Sequence, residues 1–506
     1  MHEEATASAT LPRLPDLPDP EQTDASVPPP EGDTHPTMST HVTVPSCPTP
    51  NPLGQTTLAG VRTSVVVLLA LITPLAGACA PDADAPGAII TNAPFPDDPE
   101  LWPSIRQERI RTLLGPAMAR ADMDAWLVLA RENANDPIAA HVGAENAGGL
   151  AAFLFFADAS GNLSSLAISP VTESTALAEV TPLDSVLAVP RGQSVYETVA
   201  QELRARNPER IAVNSSNRNV ADGLSWTQRM ALEEALGADL TSRLVSSEDV
   251  VVEWLSVKLP REVDIMRRAA ELTEQLELEA YGMIVPGRTT DADVARFLKR
   301  RMAELGVDDG WAPDQNPNVN SGPDRGHSHS TEKVIQSGDV IQTDFGIKVH
   351  GVWVTDIQRF AYVLREGETE APADMQERWE QAKAGSRAAF GAMRPGARGW
   401  DVDRAQRSML ESNGSIPIIW GTGHPVGYWA HDLGPSLGGS AGGRPAAGGA
   451  ARALLPGQTF AFDGFFGWER EDGSTKTISV EEMVVITEDG AEWLIPPQEE
   501  WVLVGS

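Results

Sequence analysis

Acidic residues interrupt two neighbouring apolar stretches in the second half of the chain. Asp344 lies in the stretch 340–346, and Asp356 lies in the stretch 351–363. If the two stretches form a hairpin that turns about His350-Gly351, the two acids, each six residues from His350, face each other across the strands. Two close carboxylates repel each other unless a cation lies between them. The spacing therefore predicts a metal site.

A second pair of stretches repeats this pattern. Asp463 ends the apolar stretch 459–463 before an expected polar loop, and Glu481 lies within the stretch 478–485. Between the two pairs, a glycine-rich segment carries His424 and continues to His431, and its glycines allow close approach to a cleft. Four carboxylates and one imidazole favour divalent ions such as Mn, Co or Zn. The predicted ligands of a di-metal hydrolytic site are Asp344, Asp356, His424, Asp463 and Glu481.

Long helices and strand pairs are expected to position these ligands. Thr290 or Thr289 can cap a helix whose apolar residues recur at helical spacing and belong to the core. The end of one helix and the Pro286-Gly287 turn after it are repeated 109 residues later, at Pro395-Gly396. We interpret this as two similar units with a cleft at their junction, although a chance match of helix-breaking dipeptides is the alternative.

The region 104–252 alternates helical patterns with short apolar runs, which is typical of an α/β domain. The expected strands are Ala125–Leu129, Leu150–Phe156, Val186–Val189 and Ile211–Val213. His141 is isolated from other ligand-type residues. We expect it to be structural, with contact to a neighbouring active site as the alternative.

Composition narrows the possible functions. The 506 residues, 41% hydrophobic and 22% charged, suffice for two ordinary domains. A net charge of -32 opposes binding to nucleic acid or to an anionic membrane as a main partner. The two cysteines, Cys47 and Cys79, lie far from the predicted ligands, so thiol catalysis and cysteine-based zinc binding are excluded.

The first hundred residues are expected to target the protein for export and to tether it to the membrane. Residues 1–60 are rich in Pro, Thr and Ser and are predicted to be disordered or to follow from a misassigned translation start. Residues 61–79 resemble an export signal: Arg62, an apolar run, and then Cys79, a candidate lipidation site. Ordinary cleavage after Ala78 is the alternative to acylation of Cys79. Residues 80–100 would be a linker, and we expect an exported protein, either periplasmic or a membrane-anchored lipoprotein.

The order and spacing of the ligands resemble those of the methionine aminopeptidase, Xaa-Pro aminopeptidase, prolidase and creatinase family, M24. The resemblance covers about Ser104 to Val504, and the segment 257–263 (Val-Lys-Leu-Pro-Arg-Glu-Val) is similar to the family's usual start of the catalytic domain. It implies an α+β chain. A creatinase-type α/β N-terminal domain (101–255) would precede a pita-bread catalytic domain (256–506) with a pseudo-twofold repeat.

The resemblance also implies roles for single residues. Asp344 would bind one metal, Asp356 and Glu481 would bridge both, and His424 with Asp463 would complete the second. Asp463 would also be the base. His329 and His431 would be the catalytic, substrate-binding histidines, with His327 as the alternative to His329.

The implied reaction is peptide hydrolysis in which two metal ions, Mn before Co or Zn, activate a bridging water and polarise the scissile carbonyl. The implied partner is a peptide substrate, and we expect a homodimer.

The sequence departs from the family at two points. The family normally has Glu followed by Pro-Gly where this chain has Asp463 followed by Gly464, and the spacing from Asp344 to Asp356 is one residue longer, so a bulge is expected. Three functions remain open: an exported Xaa-Pro aminopeptidase or dipeptidase, which we favour; a metal-free creatinase-like amidinohydrolase; and a non-catalytic metal-binding or peptide-binding homologue.

Overall fold

The computed structural model describes residues 94–133, 135–158, 160–325 and 329–505. Residues 1–60, the predicted export signal with Cys79 and most of the predicted linker therefore lie outside the described residues. The described residues belong to one compact unit. Within these ranges, no helix has both the length and the apolar character needed to cross a membrane.

The N-terminal half contains one mixed six-stranded sheet with helices between its strands. Its strands are β1 Ala125–Ala130, β2 Ala151–Ala157, β3 Leu163–Pro170, β4 Ser185–Val189, β5 Ile211–Val213 and β6 Leu244–Ser246, in the order β4-β3-β2-β1-β5-β6. Its helices are α1 Leu101–Arg109, α2 Gly115–Arg120, α3 Ala139–Val142, α4 Ser174–Val180, α5 Val195–Arg206, α6 Trp226–Thr241 and α7 Glu248–Leu255, with a π-helical turn joining α1 to α2. The four expected strands are present, and β3 and β6 were not predicted.

The C-terminal half consists of long helices and a second, larger sheet. Its helices are α8 Pro260–Gly282, α9 Asp291–Leu305, α10 Ala373–Ala392 and α11 Gly399–Ser412. Its strands are β7 Asp308–Asp309, β8 Asn318–Ser321, β9 Val340–Phe345, β10 Ile347–Val349, β11 Trp353–Val354, β12 Ile357–Val363, β13 Gly423–Pro425, β14 Thr459–Glu469, β15 Thr475–Ile486, β16 Ala491–Trp493 and β17 Val502–Val504. The large sheet has the order β13-β14-β15-β12-β9-β8, with β16 beside β15 and β17 beside β12. Thr290 caps α9, and its hydroxyl accepts a hydrogen bond from the Asp293 amide.

The predicted internal repeat is confirmed by the backbone. In each unit a long helix, α8 or α10, ends before a Pro-Gly turn and a second helix, α9 or α11. Gly287 and Gly396 both adopt positive φ, 76° and 80°, which a residue without a side chain adopts at low cost. The Gly287 amide donates to the Ile335 carbonyl and the Gly396 amide to the Leu454 carbonyl, each acceptor lying five residues before a long strand of the sheet. Two equivalent units therefore build one sheet.

Two details of the strand prediction were wrong. The stretch after Asp463 is not a polar loop, because β14 continues to Glu469 and pairs with β15 along its whole length. Asp344 does not face Asp356, because it pairs with Gln358, two residues further along the returning strand.

A three-residue turn explains this shift in register. His350 and Gly351 both adopt positive φ, and Val349 pairs with Trp353, so the turn is centred on Gly351, one residue after His350, and the partner of Asp344 moves by two residues. Asp356 consequently lies in the short break between β11 and β12 rather than inside a strand.

Candidate metal centre

The large sheet brings three of the five predicted ligands into one row across its strands. Asp344 on β9 pairs with Gln358 on β12, Gln358 pairs with Glu481 on β15, and Glu481 pairs with Asp463 on β14. Directly opposed residues of an antiparallel sheet share a face. Asp344, Glu481 and Asp463 therefore lie on one face of the sheet.

Asp356 and His424 complete the cluster from outside this row. One potential ligand atom from each of Asp356, His424 and Glu481 lies within 4.8 Å of the other two. The Nε2 atom of His424 is 3.5 Å from a carboxylate oxygen of Glu481 and 3.8 Å from one of Asp356. These separations suit three ligands around a single ion.

His424 is oriented by its own strand. It lies on β13, which pairs with β14, and a side chain at the preceding Gly423 would collide with the Ala461 carbonyl of β14. The Nδ1 atom of His424 is 3.2 Å from the Pro425 carbonyl, which can only accept a hydrogen bond. The proton therefore lies on Nδ1, and the lone pair of Nε2 is available to a metal.

The carboxylates are buried and repel one another. Asp344, Asp356 and Glu481 are at most 7% exposed. Burial, and then the charges of Glu481 and Asp344, raise the pKa of Asp356 well above its ordinary value. The same causes raise the pKa of Asp463. Burial lowers the pKa of His424, but the hydrogen bond and charge of Glu481 outweigh it, so the net pKa is raised. Such a cluster fits a divalent cation, which would relieve the repulsion.

Gln358 is a site residue that the sequence analysis missed. Its Nε2 donates to Glu481 at 2.9 Å, and its side-chain oxygen accepts hydrogen bonds from Gln342 at 2.7 Å and Ser479 at 2.9 Å. This chain of amides and hydroxyls fixes one oxygen of Glu481 and leaves the other facing His424. The alternation of side chains along β12, which puts residues 356 and 358 on one side, was the signal that could have found it.

The two catalytic histidine candidates differ in how well the structure places them. The rings of His431 and His424 lie 4.4 Å apart, centroid to centroid, and His431 is exposed. His329 is exposed, and the neighbouring Ser330 hydroxyl accepts a hydrogen bond from the Val319 amide on β8. His329 therefore lies at the edge strand next to β9, while His327 is outside the described residues.

His141 is buried among aromatic side chains from both halves of the chain. Its ring lies 4.6 Å from that of Tyr428, and burial, followed by the charge of Arg109, lowers its pKa well below the ordinary value. A neutral, enclosed histidine agrees with the structural role expected from the sequence.

Comparison with known proteins identifies the domain that holds this cluster. Residues 264–488, which include all five predicted ligands, match metallopeptidase family M24. The chain contains an M24 metallopeptidase domain. The M24 domain is thus the repeated unit of helices and sheet described above, and the expectation of the pita-bread fold is confirmed.

The proteins to which this chain is similar carry the names of peptidases. The chain is 28% identical over 276 residues to the protein of Mycobacterium bovis named Probable dipeptidase PepE, a match covering 54% of this chain and 66% of the relative, slightly less than two thirds. In structure it is similar to dipeptidase PepE from Mycobacterium ulcerans, with a TM-score of 0.57, 21% identity, and coverage of 79% of this chain and 98% of the other.

The Xaa-Pro dipeptidase from Bacillus anthracis gives the same TM-score, 0.57, at 18% identity, covering 79% of this chain and all of the other. Identities this low show a common fold. The activity of the chain is a separate proposal.

We predict that metal affinity rises with pH. Asp356, Asp463 and His424 all have raised pKa values in the protein without metal, so protons compete with the ion and leave as it binds. Titration calorimetry with Mn²⁺ in buffers of different ionisation enthalpy should show proton release, and affinity should fall by about tenfold per pH unit for each proton as the pH is lowered. Affinity that is constant between about pH 6 and 8, without proton release, would contradict this account of the cluster.

Proposed function

We propose that the chain is a metal-dependent aminopeptidase or dipeptidase that hydrolyses the N-terminal bond of short peptides, with Xaa-Pro bonds as the preferred class. The observation that carries the proposal is the convergence of Asp356, His424 and Glu481 within the M24 domain. The names of similar proteins, a dipeptidase and an Xaa-Pro dipeptidase, support the substrate class.

The donor set suits two divalent ions, Mn before Co or Zn. Carboxylates crowded at this depth need compensating positive charge, and oxygen ligands with a single imidazole suit Mn²⁺. Asp344 would hold one ion, Asp356 and Glu481 both ions, and His424 with Asp463 the second. Bound ions would supply Lewis acidity toward the scissile carbonyl and a water of lowered pKa.

The chain's own residues bind the peptide and move protons. Asp463 is more exposed than the other three acids, and its raised pKa suits a group that takes a proton and passes it on. His431, exposed beside His424, can donate a hydrogen bond to a substrate oxygen as negative charge develops there. We assign the same kind of contact to His329.

Peptide hydrolysis by the purified full chain tests this proposal. Xaa-Pro and Xaa-Ala peptides of two to five residues would be assayed after dialysis against a chelator and reloading with Mn²⁺, Co²⁺ or Zn²⁺. We expect metal-dependent release of the N-terminal residue and little activity in Asp356→Asn. Activity in the metal-free protein would favour a creatinase-like amidinohydrolase. Inactivity with every metal and peptide would favour a non-catalytic homologue.

We predict that the two histidines near the cluster respond differently to substitution. His424→Ala removes a ligand and should lose both metal and activity. His431→Ala should keep its metal and lose about 10²-fold or more in kcat, since it would remove one hydrogen bond to the transition state. Metal content by elemental analysis together with kcat distinguishes these outcomes. Equal loss of metal in both variants would show that the roles are assigned wrongly.

The aspartate at position 463 favours a second candidate function, that of a non-catalytic homologue. Its side chain is one methylene shorter than that of the glutamate usual in the family. It is also absent from the group of three ligand atoms that lie within 4.8 Å of each other.

Asp463→Glu moves the carboxylate outward by about 1.5 Å. We predict tighter binding of the second metal ion and higher kcat/KM. A fall in both would show that the strands around position 463 are adapted to aspartate. Asp463→Asn, of nearly equal size without the charge, is the control.

We also propose that the chain is exported and anchored through acylated Cys79, as the residues before it suggest. Labelling of expressing cells with a palmitate analogue should tag the wild-type protein and not Cys79→Ser. A labelled Cys79→Ser variant, or a mature protein that begins at residue 1, would overturn this proposal.

A further inference from the structure

The loop that carries the two site histidines turns inward at two residues. Tyr428 is 4% exposed and Asp432 is 7% exposed, whereas His431 is exposed. Neighbouring residues 431 and 432 therefore point in different directions, one toward the mouth of the metal centre and the other into the protein. The position of His431 depends on what holds Asp432.

A buried lysine holds Asp432. The Nζ atom of Lys258 donates to a carboxylate oxygen of Asp432 at 3.1 Å and to the Leu255 carbonyl at 2.7 Å. Asp432 also accepts hydrogen bonds from the amides of Tyr428, at 2.9 Å, and Leu433, at 2.7 Å. One carboxylate thus closes the loop on itself and fastens it to the segment between α7 and α8.

A second ion pair holds Tyr428. Its hydroxyl donates to Glu262 at 2.6 Å, and Glu262 is paired at 2.6 Å with Arg109 of α1. Arg109 donates further to the carbonyls of Trp254 and Val257 at 2.8 Å. Both members of the Arg109–Glu262 pair are at most 1% exposed. The loop is therefore connected to the N-terminal half of the chain through fully buried charges.

This network also reaches the metal-binding imidazole. The Pro425 carbonyl that faces Nδ1 of His424 accepts a hydrogen bond from the Asp432 amide at 2.9 Å. A displacement of Asp432 would consequently disturb both the carbonyl that orients His424 and the neighbouring ring of His431, whose centroid is 4.4 Å from that of His424.

We propose that Tyr428 and Asp432 are positioning residues that hold His431 beside the metal centre, and that Arg109, Lys258 and Glu262 make the N-terminal half part of the active-site architecture. The proposal rests on the proposed peptidase function for its kinetic consequence only. It extends that function by assigning the N-terminal half a role in turnover.

A conservative substitution at Tyr428 tests the proposal without leaving a buried charge unpaired, because Glu262 keeps its partner Arg109. Tyr428→Phe keeps the ring between its neighbours and removes only the hydroxyl bond to Glu262. Tyr362→Phe is the matched control, because Tyr362 is also a buried tyrosine whose hydroxyl is bonded to charged side chains, Arg365 and Glu368, at the far end of β12 from Asp356. We expect Tyr428→Phe to lower kcat by about tenfold or more, with unchanged Mn²⁺ content and KM within about twofold, since small misplacements of catalytic groups are costly. Tyr362→Phe should leave kcat unchanged.

A readout that does not need turnover separates this proposal from the proposed function. The chain has nine histidines, so ring signals of histidine-labelled protein can be assigned by single substitutions, with the His431 signal identified by its loss in His431→Gln. Tyr428→Phe and Asp432→Asn should shift or broaden that signal, and Tyr362→Phe should not.

An unchanged His431 signal and an unchanged kcat in both loop variants would overturn the proposal. Variants that melt at a lower temperature but keep the wild-type kcat below that temperature would also overturn it. If the wild type cleaves no peptide, the proposed function fails while the His431 signal still decides the positioning role. Asp432→Asn serves in place of Tyr428→Phe if the latter does not fold.

Discussion

Repulsion among four acids that converge on one sheet is the constraint on which the rest of this structure depends. Two like charges about 4 Å apart near a protein surface repel by about 4 kcal/mol, and burial increases the cost of each charge. Asp356 and Asp463 show the effect as strongly raised pKa values. A protein is not expected to assemble such a group for stability. The arrangement is explained when divalent ions supply the missing charge.

The repeated architecture explains how the acids and the histidine meet. Each unit supplies two long strands to the same sheet, β9 and β12 from the first and β14 and β15 from the second, and β12 pairs with β15 at the junction. Gln358 and Glu481 are the residues paired there. The metal centre therefore lies where the units join, and His424 enters from β13, the short strand that pairs with β14.

Residue type and spacing were enough to predict the repeat and the strands around the site, and the structure brings three of the five predicted ligands together, Asp356, His424 and Glu481. The full ligand set stays a prediction. Residue type and spacing were not enough to predict the register of Asp344 and Asp356. The turn is centred on Gly351 rather than on His350, and a non-glycine residue with positive φ, such as His350, is hard to foresee from sequence. The continuation of β14 beyond Asp463 was missed, and the structure shows a packing reason for Gly464 inside this strand, since a side chain there would collide with Ser386 of α10.

Long-range pairs were the other limit. Lys258 and Asp432 are 174 positions apart, and Arg109 and Glu262 are 153 apart, so neither pairing has a local pattern to reveal it. His141 looked isolated in the sequence for the same reason, since its aromatic neighbour Tyr428 belongs to the other half of the chain. Contacts of this kind are set by packing of the completed fold rather than by periodicity.

The central claim is that these acids and His424 hold metal ions, and anomalous X-ray scattering from crystals soaked in Mn²⁺ tests it most directly. The account predicts a strong anomalous peak bounded by Asp356, His424 and Glu481, with a second peak about 3.5–4 Å away toward Asp344, the usual separation in two-metal sites. Soaked crystals with no peak among these side chains, at a pH where the acids are ionised, would contradict it.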